Sequence, residues 1–378
     1  MEAWRMAAGL DGVVAAQTRL SHIDGTVGKL VIGGYPVEEL APEASFEEVT
    51  YLLWHDHLPS VPELIEFTRS LRDARALSTD VLDLLAAAAR TRCPVIDALR
   101  VATDALTLGS KDDDPSGDAI RLVASMPTIV AAYWRMLHDR PPIAPQPEMG
   151  HAANYLYMLT GSAPGAERAR VLETYWNSVA EHGLNASTFA ARVIVSTHSD
   201  LVSAVAGALG ALKGPRHGGV PGPVLDMLRE IGRAADAEGH LRDILDRGER
   251  IMGFGHRAYK VRDPRAAVLE HAAAPLLAAN AGDPLLSLAR DVERIAVGLL
   301  GEYKPGRGLR ANVEFYAALV LHALELPKEL FTPTFALSRV AGWTAHALEQ
   351  LDGGRLIRPF AEYVGEHDRR WQSLEQRA

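Results

Sequence analysis

A chain of 378 residues with 48% hydrophobic composition is long enough to bury a sizeable core, as two domains or one large one. Its formal net charge of -9 leaves no basic surplus to neutralise phosphates, which excludes a general nucleic-acid binder while leaving local cationic clusters for small anions. The single cysteine, Cys93, excludes an internal disulfide and a thiolate zinc cluster, fits a reducing cytoplasm, and reads as a buried small hydrophobe.

The N-terminal segment carries an early acid and only a short apolar stretch, a poor signal peptide, and no later run approaches the length of a membrane span. These features predict a soluble cytoplasmic protein. A short strand is predicted within Lys29–Tyr35, turned by Gly33 and Gly34, and Ser45 with Glu48 forms a capping box for a helix. From Pro62 onward the period is helical, with Leu64, Phe67 and Leu71, then Val81, Leu84 and Ala88. Ser110–Asp118 and Pro141–Pro147 read as irregular connectors. Further helices are predicted within 152–159, 166–180, 285–300 and 313–326, with others after Gly222. A last one starts at Thr332-Pro333 and runs towards Leu351. The fold class is all-α with minor strand content and no repeat.

Within this frame, the stretch from Ala180 to Gly219 is unusual. Leu201, Val205, Leu209 and Leu212 mark a helix capped at Ser199-Asp200 and stopped at Lys213-Gly214-Pro215. His182 and His217 sit beside glycines at its flanks, where a substrate can approach the backbone. A second stretch, Ile251–Arg265, places two glycines before His256 and four cations within the next nine residues, a setting for phosphate or carboxylate. Glu314 opens an apolar helix, where the helix dipole favours a carboxylate. Arg339 lies among Phe335, Leu337, Val340 and Trp343, and a guanidinium there requires an anionic partner, from the protein or from a ligand. His22, His151, His198 and His346 read as structural or solvated, with His198 near enough to His182 in sequence to tune the site.

With these residues in view, the chain resembles the citrate synthase family over nearly its whole length. The resemblance rests on His182-Gly-Leu-Asn-Ala-Ser, Leu212-Lys-Gly-Pro-Arg-His-Gly-Gly, Met252-Gly-Phe-Gly-His-Arg-Ala-Tyr-Lys, Asp263-Pro-Arg265, Phe331-Thr-Pro and Ser338-Arg-Val-Ala-Gly-Trp, in the family's order. It implies a homodimer of helical subunits with the active site shared between them. Residues 1–218 and 329–378 would form a large domain, and 219–328 an inserted small domain. The implied reaction joins acetyl-CoA to oxaloacetate and hydrolyses the citryl thioester without metal or redox cofactor, and close relatives use propionyl-CoA to make 2-methylcitrate. By resemblance, Glu314 is the base that enolises the acyl group, His217 donates to the thioester oxygen, and His256 polarises and protonates the ketone. Arg265 and Arg339, with Arg358 of the other subunit and His182, would hold oxaloacetate, whose carboxylates suit the planar guanidinium fork. Arg257, Lys260, Arg262, Lys304, Arg307 and Arg310 are assigned to the CoA phosphates.

Three departures from the family pattern cluster on the acyl-CoA side. Most members carry aspartate at the position of Glu314, and the extra methylene moves the carboxylate by about 1.5 Å. Gly218–Gly222 lacks the usual small residue and asparagine after the paired glycines, and Leu309-Arg-Ala precedes Asn312 where tyrosine and proline are common. Together they predict altered acyl-CoA handling. A metal site built on His182, His217 and His256 has no accompanying carboxylate spacing, and Ser187, Ser196 and Ser199 lie in or beside helices rather than on a strained nucleophile turn. A non-catalytic relative would have no reason to keep every anion contact and a carboxylate at the base position.

Overall fold

The computed structural model describes residues 7–10, 12–108, 114–215, 217–218, 221–279 and 284–377. It is mainly helical. Three short strands, β1 (Ser21–Asp24), β2 (Lys29–Ile32) and β3 (Tyr35–Pro36), form one antiparallel sheet in that order. Ile32 pairs with Tyr35 across Gly33 and Gly34, whose positive φ angles of 54° and 90° supply the tight turn that L side chains resist. The sequence pattern locates β2, whereas β1 lies in the polar stretch before it.

The helices follow as α1 (Val37–Glu43), α2 (Phe46–His55), α3 (Val61–Asp73), α4 (Thr79–Thr91), α5 (Val95–Asp104), α6 (Pro115–Leu137), α7 (His151–Thr160), α8 (Ala166–Val179), α9 (Ala186–Val195) and α10 (Leu201–Leu212). Then come α11 (Pro221–Ile231), α12 (Ala234–Asp246), α13 (Pro264–Ala279), α14 (Leu285–Tyr303), α15 (Val313–Ala323) and α16 (Phe331–Leu351). The Ser45–Glu48 capping box closes α2 as predicted, and Asp200 caps α10 by accepting from the Ser203 N–H at 2.7 Å. Two boundaries differ from the sequence reading. Asp114 caps α6, so residues 115–118 are helix rather than connector, while 109–113 lie outside the described residues. Thr332 does not cap α16, which already begins at Phe331; its hydroxyl donates instead to the Gly218 carbonyl at 3.1 Å.

Two long helices, α6 and α16, are buried along most of their length and pack together, with α16 also touching α2, α8, α9 and α10. Helix α13 lacked a sequence signal because its buried residues, among them Ala266, Val268, Leu269 and Ala273, leave no polar stripe to mark a period. It packs against α8, α1 and α15. Helix α8 touches α13, α15 and α16, and these three carry Arg265, Glu314 and Arg339. Among the described residues no helix is long and apolar enough to cross a membrane. Cys93 is half-buried rather than buried, with its sulfur 3.4 Å from the Tyr133 hydroxyl.

Candidate active site

His256 sits in an irregular loop between α12 and α13, and that loop is fixed from two sides. On one, it is zipped to the strand-like segment before α15: the Gly255 N–H donates to the Arg310 carbonyl at 2.8 Å and the Asn312 N–H to the Gly253 carbonyl at 2.9 Å. Asn312 then serves both partners, since its amide donates to the Gly255 carbonyl at 3.0 Å while its Oδ1 accepts from the Glu314 N–H at 3.0 Å. One side chain thus caps the helix of Glu314 and ties it to the loop of His256. On the other side, the β1–β2 turn presses on the loop. The Lys260 N–H donates to the Gly25 carbonyl at 2.8 Å, and a Cβ on Gly25 would come within 2.0 Å of the Ala258 carbonyl oxygen.

The protonation of both flanking imidazoles follows from their hydrogen bonds. His256 Nδ1 accepts from the Ala258 N–H at 3.0 Å and from the Tyr259 N–H at 3.3 Å. A nitrogen that accepts carries no proton, so a neutral His256 presents Nε2–H. His217 Nε2 accepts from the Ser187 N–H at 3.2 Å, which leaves the proton on Nδ1. The Ser187 hydroxyl lies 2.7 Å from the same nitrogen and itself accepts from Trp343 Nε1 at 3.1 Å. Burial, reinforced by Arg265 at His256 and by Arg339 at His217, holds both imidazoles down to about 4, so both are neutral at physiological pH. His182 is lowered well below the ordinary value by burial and by Arg265, and its Nε2 contacts the Tyr259 hydroxyl at 3.1 Å. The rings of His182 and His256 stand 5.1 Å apart, edge to face.

Glu314 is half-buried in the first turn of α15, and burial pushes its carboxyl up to about 8 against the opposing pull of Arg265. Arg339 is buried and stacks on the Phe335 ring at 4.8 Å. Burial lowers its guanidinium to about 10, partly offset by Glu181. Arg339 Nε and Glu181 Oε2 are both buried with no hydrogen-bond partner among the described residues.

Several of the assigned residues already have partners within the protein. Arg265 already has a resident carboxylate: its Nε donates to Asp263 Oδ1 at 2.9 Å and its Nη2 to Asp263 Oδ2 at 2.7 Å, which engages two of the five N–H groups of a guanidinium. Arg262 is not a free cation on the loop. It bonds Glu293 at 2.8 and 2.9 Å and Glu270 at 2.8 Å, and lies over the Tyr316 ring, a structural clamp between α13, α14 and α15. Arg257, Lys260, Lys304, Arg307 and Arg310 are exposed on two adjoining loops. Arg358 is also exposed, in the extended segment after α16. His198 takes an exposed left-handed position past α9, a backbone role, and His151 is buried against Phe46.

His346 is structural rather than solvated. It is fully buried; its Nδ1 accepts from Arg192 Nη1 at 2.8 Å, which fixes the proton on Nε2, and Nε2 donates to Glu181 at 3.0 Å. Arg192 continues to Glu349 at 2.7 Å and Gln350 at 3.0 Å. Burial works to raise the Glu181 carboxyl, but His346, Arg339 and Ser21 together hold it below the ordinary range. None of this chain of contacts was visible at the sequence level, because its members lie over 150 residues apart. Among the described residues no group of three or more His, Cys, Asp or Glu side chains gathers as a metal site.

The chain is similar to known proteins over nearly its whole length. The model for the citrate synthase C-terminal domain matches residues 9–360. The citrate synthase of Synechocystis is 41% identical over 375 residues, covering 98% of this chain and 93% of that protein. The 2-methylcitrate synthase of Mycobacterium tuberculosis is 39% identical over 365 residues, covering 96% and 91%. Among solved structures, the ternary complex of citrate synthase from Thermoplasma acidophilum with carboxymethyl coenzyme A and oxaloacetate superposes with a TM-score of 0.91 at 30% identity, covering 99% of this chain and 100% of that one. The helical fold, the matched span and the level of identity place the chain in the citrate synthase family, whose members are acyltransferases.

Proposed function

We propose that this chain condenses acetyl-CoA with oxaloacetate and water to give citrate and CoA. The observation that carries the reading is the pair of tautomers set by backbone N–H groups: His217 and His256 are neutral and each offers one N–H, beside a carboxyl raised towards neutrality. Enolising a thioester requires a base on the methyl group and a donor on the oxygen. The Glu314 carboxylate takes the methyl proton while His217 Nδ1–H bonds the thioester oxygen. The enol carbon then attacks the ketone carbon of oxaloacetate, whose oxygen takes the proton of His256 Nε2. Water cleaves the resulting thioester and releases CoA. Every step is a proton transfer or a carbonyl addition, so the scheme uses no metal or redox cofactor.

Oxaloacetate would sit among His182, Arg265 and Arg339. Asp263 and Glu181 already offset the two arginines, so a dianion gains from a further cation, which is Arg358 of a second copy in this reading. The exposed Phe360, Tyr363, Val364 and Trp371 that follow Arg358 support association with that copy as a homodimer. Arg257, Lys260, Lys304, Arg307 and Arg310 offer phosphate contacts for CoA, residues 219–328 act as the closing small domain, and the enzyme works in the cytoplasm. The test is CoA-thiol release with oxaloacetate, comparing acetyl-CoA with propionyl-CoA. Higher kcat/KM with acetyl-CoA is expected. The reverse preference would make the product 2-methylcitrate, the reaction named for the mycobacterial relative, and no release with either would overturn the proposal.

A further inference from the structure

Tyr175 has no role in the scheme above, yet it lies at its centre. The residue is fully buried in α8, and its hydroxyl has no hydrogen-bond partner among the described residues. Folding rarely leaves such a group unpaired, because it gives up its water for nothing. Helix α8 packs against α13, α15 and α16, and the charged side chains that act on the hydroxyl come one from each: Arg339 foremost, then Glu314 and Arg265. Arg339 carries a second unpaired buried donor, its Nε. The Glu181 carboxylate does not close the gap, since one of its oxygens is taken by Ser21 and His346 and the other is also unpaired.

Two unpaired buried donors on packed helices, one of them on a cation whose charge acts on the other, match the two oxygens of a carboxylate. We propose that the Tyr175 hydroxyl donates a hydrogen bond to the substrate carboxylate held by Arg339, and is thus a further oxaloacetate-binding residue. This rests on the reading of Arg339 as a carboxylate partner and extends it. The substrate carboxylate would supply the partner that no described residue of the protein gives this hydroxyl.

The test is Tyr175→Phe, which removes one oxygen and leaves the ring in place. KM for oxaloacetate should rise about tenfold or more, the loss associated with one hydrogen bond to a charged group. KM for acyl-CoA should stay within about twofold, a split that a general packing defect does not produce. Thermal unfolding of the substrate-free variant should occur at the same or a higher temperature, since the lost hydroxyl had no partner, while the upward shift caused by oxaloacetate should shrink. An unchanged oxaloacetate KM overturns the proposal. So does a destabilised or misfolded variant, which would show that the hydroxyl already had a partner. A shifted pH profile with unchanged oxaloacetate KM also overturns it, by assigning the hydroxyl to Glu314. Arg339→Gln is measured in parallel. If that variant also leaves oxaloacetate KM unchanged, the reading of the site itself fails; if it alone raises KM, only the role of Tyr175 does.

Discussion

In the proposed reaction Glu314 is the residue on which rate depends most directly, and its environment gives that dependence a pH. Burial raises the carboxyl to about 8, so at pH 7 only about a tenth is ionised in the empty site. Turnover at low acyl-CoA should therefore climb about tenfold per pH unit and level off near pH 8. His217 and His256, lowered to about 4, should add no inflection near 6.5. A profile already flat by pH 6 would contradict the assignment of Glu314 as base. The same shift has a sign for stability. The folded value lies above the unfolded one, so the contribution of the neutral carboxyl is complete below about 4.5 and is lost as pH rises through about 8. Glu314→Gln should abolish turnover by at least about a hundredfold and melt higher than the parent, with the gap widening between pH 5 and 9. The sequence makes this residue legible as a carboxylate in a first helical turn. It does not reveal the raised value, which depends on what α8 and α13 place against it. Tyr175 was illegible for a similar reason: in sequence it is one more large residue in a helix already full of them.

At the scale of elements, the loop of His256 is positioned by pieces that have no chemistry of their own. The glycines before His256 and the asparagine before Glu314 are visible as motifs, but the role of the β1–β2 turn is not, because Gly25 and Ala258 are remote in sequence and touch only through backbone. Gly25→Ala would drive a methyl group into the Ala258 carbonyl, and either the turn or the loop must yield. A displacement near 1 Å at the reacting groups costs about a hundredfold in rate, so kcat should fall by that order. Gly239→Ala provides the control. That glycine lies in α12 with nothing within 4 Å of the added carbon, and the substitution should stabilise by about 0.5–1 kcal/mol without affecting turnover. Equal loss of activity in both variants would mean that the turn does not position the loop. The cationic loops show the converse error. Six lysines and arginines look alike in sequence, yet Arg262 is committed to Glu270 and Glu293, and only the packing of α13 against α14 exposes the difference.

At the scale of the whole molecule, the all-α class was legible because capped, periodic helices dominate the chain, whereas a site shared between two copies enters only through the family resemblance. Arg265 and Arg339 both face resident carboxylates, so a single copy offers little net positive charge to a dianion. Arg358, exposed beyond α16, lines a cleft of about 660 Å³ with Arg192, Glu349 and the N-terminal segment rather than the histidine site of its own chain. The expectation that it serves the site of a second copy can be tested by mixing two inactive variants. In a hybrid of Glu314→Gln and Arg358→Gln chains, one site receives both lesions and the other receives neither, provided Arg358 crosses between subunits. Random reassortment after unfolding and refolding makes about half of the dimers hybrids, each with one intact site, and activity should recover to about a quarter of the parent value. If Arg358 acted within its own chain, every site in the mixture would carry one lesion and no activity would return. The recovered fraction thus reports on connectivity alone, and it does so whichever acyl-CoA the enzyme prefers.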